Sequence, residues 1–158
     1  MGDTGNEVAA LLKARGETVA VAESSAGGRI NAALVAVPGA SAHYLGGTIV
    51  YTKAGREALM GITDEEMKGT RSASEPYAKL LAQRIREKLG ATWGLSETGA
   101  SGPAGNRYGD PPGHACIAVS GPVEASITVE TRSADREANM REFTRRALEL
   151  LESCLRKA

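Results

Sequence analysis

The stretch Ala22-Glu23-Ser24-Ser25-Ala26-Gly27-Gly28 lies between an apolar β-type run, Thr18–Val21, and the helically spaced segment Arg29–Val35. A strand, a turn of small polar residues with a glycine pair, and then a helix place Ser24 and Ser25 where a strand hands over to a helix. That position suits a nucleophile or a bound anion. Two glycines let the backbone come close to a ligand, and the first amides of the helix present N–H groups to negative charge. The same pattern also serves a tight strand-to-helix turn with no ligand.

Further along, helical and strand patterns alternate. Val8, Leu11 and Leu12 form a short helical stripe that ends near Gly16. Pro38-Gly39 breaks the Arg29–Val35 helix, and Thr48–Tyr51 reads as a second strand. Thr63 and Glu66 have capping-box spacing for a short helix, and Ser74-Glu75-Pro76 starts a longer one that buries Tyr77, Leu80, Leu81 and Ile85 before Gly90. Strands follow at Thr92–Leu95, His114–Val119 and Ala125–Thr131. Only Ser120–Glu124 separates the last two, which is too short for a crossover helix and predicts an antiparallel hairpin. A terminal helix from about Asp135 carries Phe143, Ala147, Leu151 and Cys154 on one face. The expected fold is a single α/β domain over residues 1–158, a three-layer α/β/α sandwich with a mixed, mostly parallel sheet.

Composition narrows the function classes. The chain has 158 residues, 42% of them hydrophobic, enough for one real core. Nineteen basic and nineteen acidic residues cancel, which argues against a general nucleic-acid binder. Cys116 and Cys154 read as buried free thiols, and no apolar stretch approaches membrane-spanning length. A cytoplasmic protein without membrane attachment is expected. His43 and His114 have no ligand-spaced neighbours, so neither a metal nor another cofactor is expected.

A second candidate site is the segment Thr98-Gly99-Ala100-Ser101-Gly102-Pro103-Ala104-Gly105, running on through Asn106 to Gly113. Loops of this length between strands are often functional, and several glycines can expose consecutive N–H groups to a phosphate or a developing oxyanion.

Together these residues carry a family resemblance. Glu23-Ser24-Ser25-Ala26-Gly27-Gly28, Gly46-Gly47-Thr48-Ile49-Val50-Tyr51-Thr52, Ser74-Glu75-Pro76, Thr98-Gly99-Ala100-Ser101-Gly102-Pro103 and Asp135-Arg136 occur in the order and spacing of the CinA C-terminal domain family. That family includes the stand-alone nicotinamide mononucleotide (NMN) deamidases, and the resemblance covers nearly the whole chain. It implies a compact α/β/α domain that hydrolyses the carboxamide of NMN to nicotinate mononucleotide and ammonia, in pyridine-nucleotide salvage and without a metal. The nucleophile of the family pattern Glu-Ser-Cys-Thr-Gly-Gly aligns with Ser24; Ser25 stands at the cysteine position and Ala26 at the threonine position. Glu23, Ser25, Gly27, Gly28, Thr98, Gly99, Ser101 and Gly102 become the expected substrate-binding framework. The family often self-associates, which implies a homodimer.

One departure bears on the chemistry. Where the family reads Tyr-Ser-Asn-Glu-Ala-Lys, this chain reads Tyr51-Thr52-Lys53-Ala54-Gly55-Arg56. Arg56 therefore occupies the position of the lysine expected to activate the serine. A neutral lysine amine can accept the serine proton, whereas guanidinium stays protonated; Arg56 can instead hold a phosphate or carboxylate. Three replacements are open: Lys53 swinging into the site, Glu23 as general base, or Tyr51 relaying a proton. Arg136, in the first turn after Asp135, and Arg141 match the family's downstream arginines and suit a 5′-phosphate. Two readings follow: an amidohydrolase using Ser24 with another base, and a nucleotide-binding relative that has lost hydrolysis.

Overall fold

The computed structural model describes residues 2–158. Its elements are α1 (Gly2–Arg15), β1 (Val19–Glu23), α2 (Arg29–Val35), β2 (Tyr44–Ile49), α3 (Lys53–Met60), α4 (Glu75–Leu89), β3 (Trp93–Ala100), β4 (His114–Ser120), β5 (Ala125–Glu130) and α5 (Arg136–Lys157). The sheet order is β2-β1-β3-β4-β5. β1 pairs parallel with β2 and β3, whereas β4 is antiparallel to both β3 and β5. Four strands thus run one way and β4 runs against them, so the sheet is mixed as expected.

Side-chain alternation divides the sheet into a bulky face and a small one. Val19, Val21, Trp93, Leu95, Ile117 and Val119 join residues of α1, α2 and α5, including Leu12, Ile30, Phe143 and Leu148, in the larger core. Ala20 and Ala22 face α4, as do Cys116 and Ala118. Small residues there let α4 come close: a Cβ on Gly94 would lie 2.1 Å from the Ala82 carbonyl oxygen. Both cysteines are buried and free.

Four segments depart from the sequence expectations, one of them α3, which no apolar stripe announces. β2 starts at Tyr44 rather than Thr48 and ends before Tyr51, which is exposed in the following loop. Glycines weaken strand patterns, yet Gly47 is required because a Cβ would meet Asn31 Oδ1 at 2.0 Å and the Val21 carbonyl at 2.3 Å. β3 runs on past Leu95 to Ala100, so Thr98-Gly99-Ala100 is strand and the loop begins at Ser101. Thr63 and Glu66 do make the reciprocal contacts of a capping box, at 3.2 and 3.5 Å, but they close a series of turns rather than a helix. Asp135 caps α5 as expected, accepting from the Ala138 amide at 3.1 Å. Among the described residues no helix is long and apolar enough to cross a membrane.

Candidate active site

The carboxyl ends of β1, β2 and β3 meet at one edge of the sheet, the usual place for a ligand crevice in an open α/β fold. Two cavities open there. The larger, about 640 Å³, is lined by Ser24, Tyr51, Lys53, Arg56 and Thr98, by Arg107 and Tyr108 of the long glycine-rich segment, and by the unanticipated Asp64 and Tyr77. The smaller, about 400 Å³, is lined by Ser25, Tyr51, residues 99–106 and Arg136. Adjacent serines therefore face different cavities.

Between them lies a residue that the sequence reading passed over. Glu97 is fully buried on β3, on the same face as Leu95. Its Oε1 accepts from the Ser24 amide at 3.1 Å and the Ala26 amide at 2.8 Å, and its Oε2 accepts from the Ser25 hydroxyl. Burial pushes the Glu97 carboxyl up to about 7, against three hydrogen bonds that favour its charged form. Its only signal in the sequence is a carboxylate two residues beyond an apolar strand run.

Glu23 occupies the other end of the same loop. It accepts from the amides of Gly28 (2.8 Å), Ile30 (3.2 Å) and Asn31 (2.8 Å), and from the Asn31 side chain at 2.7 Å. The glycine turn was expected to offer its amides to a bound anion; instead two of the protein's own carboxylates fill it. Gly27 and Arg29 amides go to the Ser24 and Ala26 carbonyls. Among the described residues, Ser25 keeps the one amide between 24 and 31 that no protein acceptor takes. The Glu23 oxygens are thus committed to α2, and Glu23 lines neither cavity. Gly27 and Gly28 shape this turn without lining either cavity; Gly28, at φ 101°, is the left-handed cap from which α2 starts.

The remaining sequence candidates sort by geometry. Arg56 is buried, donating from Nε to the Ile62 carbonyl at 3.1 Å and from Nη2 to Asp64 at 2.6 Å. Lys53 is exposed, its Nζ 2.7 Å from the other Asp64 oxygen, and that carboxylate raises the lysine pKa. The Lys53 ammonium is thus held by Asp64 in its protonated form, which does not favour taking a proton from Ser24. The Tyr51 hydroxyl accepts from Arg136 Nη2 at 2.9 Å, and Arg136 also donates to the Gly102 carbonyl. Arg141 stands apart from both cavities, paired with Glu137 at 2.6 Å.

The long loop is braced from two sides. Asn139 on α5 donates to the Ser101 carbonyl at 2.9 Å, and Thr98 Oγ1 accepts from the Ala73 amide at 3.1 Å. Asn106 and Asp110 fold the loop on itself, with Arg71 gripping Asp110 at 2.7 and 3.3 Å. This places Arg107 and Tyr108 on the wall of the larger cavity, 5.1 Å apart in cation–π geometry. Gly99 lines both cavities, but its lack of a side chain answers to packing: a Cβ would lie 2.4 Å from the His114 carbonyl oxygen. Among the described residues no three His, Cys, Asp or Glu side chains gather as a metal-binding group.

This sheet-edge site, with its serine turn and glycine loop, lies within residues 3–155, all of which match the family model described as the CinA C-terminal domain. The chain belongs to the CinA C-terminal domain family. A CinA-like protein of Prochlorococcus marinus (strain MIT 9313) is 45% identical over 112 residues, covering 71% of this chain and 26% of that protein. A CinA-like protein of Anaeromyxobacter sp. (strain K) is 39% identical over 149 residues, covering 94% and 36%. The chain thus spans only about a third or less of these CinA-like relatives. Among solved structures, a competence-damaged protein (CinA) superfamily protein from Klebsiella pneumoniae superposes with a TM-score of 0.92 at 25% identity, covering 99% of this chain and 98% of the other. The CinA α/β sandwich is therefore the fold of this chain.

Proposed function

We propose that the chain hydrolyses the carboxamide of a small mononucleotide of the NMN type, giving the carboxylate and ammonia through a serine nucleophile. The observation that carries this reading is the Ser24-Ser25 pair set between two cavities with cationic walls. Lys53, Arg56 and Arg107 line the larger cavity and Arg136 the smaller. A volume of about 640 Å³ matches pockets for small cofactors, and the guanidinium groups suit a phosphate. The CinA membership favours this substrate class over other amides. The same reading takes the protein as a cytoplasmic homodimer; Leu45 and Ile49, exposed on the edge strand β2, support self-association.

A second reading, nucleotide binding without turnover, is favoured by one observation: Ser24 has no amine base, since Arg56 is guanidinium and Lys53 is held by Asp64. Ammonia release from NMN by the purified protein, measured beside calorimetric binding of NMN, separates the two. Release establishes the hydrolase. Binding without release leaves the binding protein, and neither one sinks both readings.

A further inference from the structure

The geometry points to Ser25, not Ser24, as the nucleophile of this site, with the buried Glu97 carboxylate as its general base and the smaller cavity as the place where the acyl group is attacked. This inference rests on the acyl-hydrolase reading above and assigns its nucleophile.

Five observations converge on the pair. The Ser25 hydroxyl already donates to Glu97 Oε2, whereas the Ser24 hydroxyl has no protein partner among the described residues. A nucleophile hydrogen-bonded to a base that is itself held in place is the arrangement such chemistry needs. Glu97 is so held: the Ser24 and Ala26 amides fix Oε1, which leaves Oε2 aimed at Ser25. Ser25 lines the smaller cavity, so its oxygen is next to space that a substrate can enter. Its own amide is the one in the loop without a protein acceptor, which leaves it free to donate to the oxygen of a tetrahedral intermediate. A carboxyl brought near neutrality by burial can then both take and return a proton.

The reaction balances on these groups. Ser25 Oγ forms a bond to the amide carbon while its proton passes to Glu97, and the carbonyl π pair moves onto oxygen. Collapse of that intermediate breaks the C–N bond, and protonated Glu97 gives its proton to the departing nitrogen, which leaves as ammonia. Water then attacks the acyl-serine and gives a proton to Glu97; the acid departs, and the proton returns to Ser25 Oγ. Arg136 lines the same cavity and keeps guanidinium N–H groups beyond those used on Gly102 and Tyr51, so the substrate class is a carboxamide with an anionic group nearby.

The test uses a fluorophosphonate probe on the intact protein, followed by peptide mapping of the modified residue. A covalent adduct on Ser25 is expected, absent in Ser25→Ala and slowed at least about a hundredfold in Glu97→Gln. Labelling of the wild type is expected to rise with pH through a midpoint near 7, and that rise to vanish in Glu97→Gln. The glutamine oxygen can still accept from the Ser24 and Ala26 amides, which preserves the loop. As a second variant, Ser25→Cys is expected to react with iodoacetamide far faster than the buried Cys116 and Cys154, and to slow when combined with Glu97→Gln. An adduct on Ser24, no adduct at all, or Glu97→Gln labelling at the wild-type rate overturns the assignment. Labelling needs no turnover of NMN, so an adduct on Ser25 without ammonia release removes the substrate reading and leaves the pair. Ammonia release that persists in Ser25→Ala removes the pair and leaves the hydrolase.

Discussion

Tyr51 and Arg136, far apart in sequence, are joined by a 2.9 Å hydrogen bond from guanidinium to phenol oxygen. Tyr51 lines both cavities and Arg136 only the smaller, so this contact is part of the partition between them. Arg136→Ala is expected to raise KM for NMN about tenfold with little change in kcat, because it removes a charged contact that acts on the ground state and the transition state alike. Steady-state kinetics check this; a fall in kcat at constant KM contradicts it.

Arg56→Lys tests whether the family lysine can be restored by substitution alone. Asp64 already draws Lys53 and raises its pKa, and an amine at position 56 meets the same carboxylate. Ammonia release is expected to stay at or below the wild-type level. Loss of the Nε–H bond to the Ile62 carbonyl is expected to cost about 1 kcal/mol, roughly 2–4 °C in the melting midpoint. A gain in release abolished by Ser24→Ala would show an intact serine–lysine site blocked only by arginine.

Glu97 gives a pH signature in stability. Its folded pKa of about 7 lies above the ordinary 4.5, so the folded state binds more protons between those values. Stability is therefore highest below the unfolded pKa and falls as pH rises through about 7. Glu97→Gln is expected to melt higher than wild type at pH 8, by roughly 3 kcal/mol at most, and to lose the advantage near pH 4. Urea denaturation at the two pH values measures it.

The two histidines pull in opposite directions. Burial lowers the His114 pKa, but the Ala73 carbonyl at 2.8 Å, Glu130, and Asp110 at 3.5 Å outweigh it and leave the group raised. Its contribution is complete below the unfolded value and is lost as pH rises through the folded one. His43 is buried with both ring nitrogens unpartnered, and burial, helped by Lys13, lowers its pKa. The unfolded chain then binds that proton more readily, so stability falls as pH drops below about 6.5. In melts across a pH series, His114→Asn is expected to remove the histidine's share of the alkaline loss, leaving that of Glu97, and His43→Phe to remove the share of the acid loss that comes from His43.

Gly99→Ala places a methyl group 2.4 Å from the His114 carbonyl oxygen and 2.7 Å from Ala115 Cα. Backbone cannot yield as a side chain end can, so a loss of about 1–3 kcal/mol is expected, with ammonia release falling as the end of β3 shifts. Wild-type stability in this variant would mean that β3 and β4 separate there without penalty.

The first strand, the serine turn, α2, the final hairpin and the capped α5 were legible because period and punctuation agree in each of them. β3 was not. Ser96, Glu97 and Thr98 interrupt an apolar run with polar residues, which reads as the start of a loop, yet each has an internal partner: the Ala78 carbonyl, the serine turn and the Ala73 amide. Satisfaction of a buried polar group by a distant segment leaves no local pattern. The same limit hides Glu97 from the site, and Glu23 reads as a possible base because its three amide partners become visible only once α2 folds back over it. α3 was missed for a different reason: only Arg56 and Met60 of its residues are buried, so no stripe announces it.

Under the proposed function, the two carboxylates that fill the serine turn also set which way round a substrate lies. A turn whose amides are already taken by two carboxylates has little to offer a phosphate and suits the uncharged amide, while the guanidinium groups on the outer walls attract the negative end. Head and tail are thus told apart by sign before any contact specific to a base or ring is made, and an analogue carrying a carboxylate in place of the amide, the product itself, meets the least hospitable part of the site. Release of product is thereby built into the same loop that would make it.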